Sequence, residues 1–114
     1  MAEHAVLVKF DYGAKTLDAL YELEDRLSNA LAEVGEGECD GHDVTPDLSK
    51  ATIYLYGPDA EFLFVVAQQV LEYAECVHNG VATLRFGPPQ DGVPERVVPL
   101  VRRVKQSGPR LRPW

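Results

Sequence analysis

Ala51-Thr52-Ile53-Tyr54-Leu55-Tyr56-Gly57-Pro58-Asp59-Ala60-Glu61 is the stretch on which the fold turns. Over its first six residues Ile53 and Leu55 face one way and Thr52, Tyr54 and Tyr56 the other, the period of two that a half-covered strand requires. Gly57 and Pro58 stop that period. Proline at a first helical position, with Asp59 and Glu61 in the first turn, then predicts a helix running from Phe62 to Ala74. A strand feeding directly into a helix that is apolar around nearly its whole circumference is a packing unit, and it needs a sheet to pack on.

Upstream, Ala5 to Tyr12 alternates Val6, Val8, Phe10 and Tyr12 against Leu7, Lys9 and Asp11, a strand with one wetter face. Thr16 stands where a cap is wanted. Leu17, Leu20, Leu23, Leu27, Leu31 and Val34 then recur at three or four positions, and Gly35 follows where a left-handed C-cap belongs. Between this helix and Lys50 the chain is polar, and residues 37–44 read as an edge strand because Gly41 and the charges suit no central one. Thr45 to Lys50 is turn chemistry.

Downstream, Asn79-Gly80 reads as the stop of the second helical segment, and Val81 to Phe86 alternates as a further strand. Residues 95–101 leave room for a short fifth strand, confined to an edge by Pro99. The order strand, helix, strand, strand, helix, strand predicts an α+β domain on the ferredoxin-like split βαβ plan, a four-stranded antiparallel sheet with two helices on one face. Residues 1–101 form that single domain, and residues 102–114 a basic, proline-containing C-terminal tail.

Tyr54 to Glu61 as quoted above, Leu84-Arg85-Phe86-Gly87-Pro88-Pro89 with Asp91-Gly92-Val93, and the pair Asp40-Gly41 together resemble a group of short bacterial proteins of unknown function. The resemblance covers roughly residues 4–101 and implies the same ferredoxin-like fold. It implies no activity, since the group has none established.

Charge narrows the function classes. The chain carries 18 acidic and 11 basic residues, formally −7, and every acid lies at or before Glu95. An acidic body repels phosphate, which argues against nucleic acid as a partner even though Tyr54 and Tyr56 sit where RNA-binding sheets of this plan carry stacking aromatics. No run approaches the roughly 18 apolar residues of a membrane span, and the first residues lack the pattern of a secretory leader, so a cytoplasmic protein without membrane insertion is expected. Cys39 and Cys76 are too far apart in sequence for a zinc knuckle or redox pair, and a reducing compartment would keep them as thiols.

Candidate sites are few. Asp40 and His42, alternate positions on an edge strand, could converge toward a metal, with Cys39 and Asp43 facing away, yet Asp-Gly also suits a plain turn. His42 beside a carboxylate, with Cys39 or Cys76 as nucleophile, is the other chemical reading. No phosphate loop, nucleophile elbow or zinc-binding helix motif accompanies it, so no catalytic residue and no cofactor are assigned. Lys9, Asp11, Tyr54, Tyr56 and Arg85 fall on the uncovered sheet face and are the binding candidates, with Arg85 able to pair with Asp11. In the tail, Arg102, Arg103, Lys105, Arg110 and Arg112 could hold an acidic surface, against the plainer reading of a solvated end.

The expectation is therefore a non-catalytic interaction or regulatory module acting through its open face, on itself as a homodimer or on another protein. The alternative is a small enzyme or ligand-binding protein with a site near Asp40, His42, Tyr54, Tyr56 and Arg85.

Overall fold

The computed structural model describes residues 3–101. In chain order its elements are β1 (His4–Tyr12), α1 (Asp18–Val34), β2 (Glu38–Val44), β3 (Lys50–Gly57), α2 (Ala60–Leu71), β4 (Val77–Arg85) and β5 (Glu95–Pro99). The strands form one antiparallel sheet in the order β2-β3-β1-β4-β5. The sheet thus has five strands rather than four, because β5 does pair with β4, ending at Pro99 where the missing N–H limits the ladder.

Register places Val6, Val8 and Phe10 of β1 beside Leu55, Ile53 and Ala51 of β3, and Val6 and Val8 beside Leu84 and Ala82 of β4. These residues are almost fully buried in a single core with Leu20, Leu23, Leu27 and Leu31 of α1 and Leu63, Ala67 and Leu71 of α2, helices that also pack on each other. Of the apolar spacing read along residues 17–34, Leu20, Leu23, Leu27 and Leu31 are the buried stripe of α1, whereas Leu17 holds the cap position and Val34 is exposed; Gly35 closes that helix at φ 70°.

Four local expectations are corrected. Thr16 does not cap α1: Leu17 holds the cap position, and Thr16 Oγ1 reaches the Asp18 amide only at 3.4 Å. Its role falls to Tyr12, whose hydroxyl accepts from the Leu20 N–H at 3.1 Å and donates to the Thr16 carbonyl. Pro58 precedes the cap of α2 rather than opening the helix. Asp59 is the cap, accepting from the Glu61 and Phe62 amides, and His4 Nδ1 accepts from the Ala60 N–H at 3.0 Å. That helix ends at Leu71, before Ala74.

The fourth correction concerns Asn79-Gly80, which lies inside β4 and not at a helix stop. Asn79 takes a positive φ of 52°, and the β1–β4 register shifts between Lys9 and Asp11, a bulge that lets the strand begin at Val77.

Candidate functional site

Three rows of side chains cross the sheet on the side away from the core. Glu38, Tyr56, Ala5, Arg85 and Glu95 make one, and Tyr54, Leu7, Thr83 and Val97 the next. Asp43, Thr52, Lys9, Val81 and Pro99 make the third. Tyr54, Tyr56, Leu7, Thr83 and Val81 are partly exposed and Val97 is 62% exposed. The middle of this face is an apolar and aromatic band; its β2 edge carries Glu38 and Asp43, with the exposed Asp40 between them.

Of the binding candidates, Tyr54, Asp11 and Arg85 are each engaged by neighbours. Tyr54 donates its hydroxyl to Asp43, and that bond, ahead of burial, holds the phenol above its usual range. Asp11 accepts from Lys50 Nζ at 2.7 Å and Asn79 Nδ2 at 2.9 Å, which together hold its carboxyl below the usual range. Arg85 does not pair with Asp11: it stands opposite Ala5, well along β1 from Asp11, and its Nε donates to the Gly87 carbonyl at 2.7 Å.

Asp40 and His42 are not brought together. The β2–β3 register gains one residue between Cys39 and His42, with Gly41 at φ 109°, so the alternation that would align Asp40 with His42 is reversed there. Cys39, His42 and Val44 therefore share the helix side with Leu55, Ile53 and Ala51, while Asp43 joins Tyr54 on the open face. His42 Nδ1 lies 2.9 Å from Glu24 Oε2 of α1, each side chain less than one-fifth exposed, and its ring leans on Tyr21. His42 is thus separated by the sheet itself from Tyr54, Tyr56 and Arg85.

Cys39 lies beside this pair, and burial pushes its thiol up against weaker opposing hydrogen bonds from the Gly41 backbone and Ser28. A raised thiol is a poor nucleophile. Among the described residues no three His, Cys, Asp or Glu side chains form a group able to hold a metal ion.

Glu24 was missing from the sequence candidates, though its position could have flagged it: four residues after Leu20 and three before Leu27, it sits on the flank of the buried stripe. A cleft lies elsewhere, between α1 and the α2–β4 connection. Its volume is about 460 Å³ and its lining includes Glu22, Leu23, Arg26, Tyr73, Glu75 and Cys76. None of the open-face residues reaches it. The tail arginines and Lys105 lie outside the described residues. Among those described, no helix is long and apolar enough to cross a membrane.

No protein-family model, no curated protein and no solved structure matches this chain. The resemblance carried by the motifs around Gly57-Pro58 and Gly87-Pro88 therefore rests on those residues alone.

Proposed function

We propose that this chain is a non-catalytic protein-interaction module on the ferredoxin-like split βαβ plan, binding through its open sheet face, with a second copy of itself as the first partner. The strand order supports the plan: β1 lies between β3 and β4, β2 lies outside β3, and only β5 is additional. The observation that carries the function is the row Tyr54, Leu7, Thr83 and Val97, an apolar band spanning four adjacent strands, with no helix or strand over it among the described residues. Two of the groups that the enzyme reading would use, His42 and Tyr54, are engaged with Glu24 and Asp43 on opposite sides of the sheet.

Area sets the expected strength. Five strands at about 4.8 Å spacing and some seven residues at about 3.3 Å rise give a face of roughly 450 Å². Two such faces bury on the order of 900 Å², at the small end of specific interfaces, which suits a reversible dimer.

Light scattering during size exclusion over a range of concentrations tests this. The mass should climb from monomer toward dimer, and Leu7→Lys or Val97→Glu should weaken association at least tenfold while leaving the circular dichroism spectrum unchanged. A monomer at every concentration and salt overturns self-association, and association indifferent to both substitutions removes the open face as its site.

A further inference from the structure

We infer that segment 102–114 is a ligand of its own chain, crossing the open sheet face and shielding it from other proteins at low ionic strength. The inference rests on the open face being an interaction surface and says what regulates access to it. Three observations converge on this occupant.

The first is charge. Residues 1–101 hold all 18 acids against six bases, whereas the segment holds Arg102, Arg103, Lys105, Arg110 and Arg112 and no acid. On the open face Glu38, Asp40 and Asp43 gather along the far β2 edge, Glu95 stands on β5, and Lys9 and Arg85 are the bases in the rows between.

The second is reach. The segment continues from Val101, just beyond β5, whose exit is pinned by the Leu100 N–H donating to the Gly80 carbonyl at 2.8 Å. From β5 to β2 is four interstrand steps, about 19 Å. Arg110 lies nine residue steps beyond Val101, up to about 30 Å when extended. Arg110 and Arg112 therefore reach the β2 acids with chain to spare, whereas Arg102 and Arg103 do not.

The third is the match of apolar groups. Val104, Leu111 and Trp114 interleave with the bases, and the face between the two edges offers Val97, Val81, Leu7 and Tyr54. Pro109 and Pro113 disfavour a helix and suit an extended crossing. The acidic exposed side of α1, with Asp18, Glu22 and Asp25, offers charge without that apolar band.

Trp114 is the only tryptophan, so its emission reports on the segment in the full chain. At low salt the emission should be blue-shifted and quenching by acrylamide reduced severalfold, independent of protein concentration. High salt, Arg110→Glu with Arg112→Glu, or Leu7→Lys should each return the indole to full solvation. Light scattering on the same samples should show that salt and the double arginine substitution raise self-association.

A solvated indole at low salt overturns the inference, and shielding that grows with concentration assigns the segment to a neighbouring molecule instead. Shielding lost with the arginines but kept in Leu7→Lys places it off the open face, which overturns it equally. The two readouts separate the failures: a shielded Trp114 on a protein that never associates counts against the module reading and not against the docking.

Discussion

Tyr12 shows how one side chain joins strand to helix. Its ring is 6% exposed at the end of β1, and its hydroxyl links the Thr16 carbonyl to the Leu20 amide, one of the α1 donors that lacks a partner within the helix. Tyr12→Phe keeps the ring in the core and strips both bonds, so it should cost about 1–2 kcal/mol in a urea melt. Burial, ahead of other influences, also raises the Tyr12 phenol above the ordinary value of 10.0, and the bond to Asp43 does the same for Tyr54. A raised tyrosine favours the folded state while protonated. This contribution is whole below 10.0 and drains away as pH climbs through the higher folded values, so the urea midpoint should fall in that alkaline range and fall less steeply in Tyr12→Phe. An unchanged alkaline slope in the variant would detach Tyr12 from the effect. The sequence placed Tyr12 correctly on the core side of its strand, yet nothing in its spacing disclosed the hydroxyl's partners, which depend on how the turn at residues 13–17 brings the helix back.

At the scale of elements, what was legible followed from periodicity, and what was hidden followed from its interruption. The leucine stripe of α1 and the alternation in β1 and β3 obey one period from end to end, so their faces could be read directly. In β2 and β4 a single extra residue changes the face, and no count of alternating positions can see an extra residue whose partner strand is unknown. That is why Asp40 and His42 looked like neighbours and are not, and why Asn79-Gly80 looked like a terminus. The bulge in β2 depends on Gly41, whose φ of 109° is a region side chains rarely adopt, although a Cβ there would touch nothing within 4 Å. Gly41→Ala therefore isolates the backbone cost, and a loss of about 1–3 kcal/mol is expected in chemical denaturation. The histidine resonances should shift together with the loss, because the bulge is what turns His42 toward Glu24. A neutral substitution would mean that β2 tolerates a regular strand and that His42 does not need the extra residue.

For the molecule as a whole, the strand order ranks the stability of its parts. β1 is flanked by β3 and β4, and the core residues Val6 and Val8 that it contributes are fully buried, so its amides are released only when the sheet comes apart. The two edges differ in kind. β2 has one neighbour, an interrupted ladder and a pattern with no fully buried residue, while β5 has five residues, of which only Val98 is better than exposed. Opening free energies should therefore descend from β1 through β3 and β4 to β2 and β5. In native-state hydrogen exchange the amides of Val6 to Phe10 should report global unfolding, of order 5–15 kcal/mol for a domain of this size, and those of β5 should exchange through local opening well below it. A dimer formed through the open faces should leave the backbone of β1 unaffected, since its bonds already lie within the sheet. A segment laid across Val97 should slow β5 selectively at low salt. Protection of β5 equal to that of β1 at high salt would contradict this hierarchy and show the fifth strand to be an integral part of the cooperative unit rather than an addition to its edge.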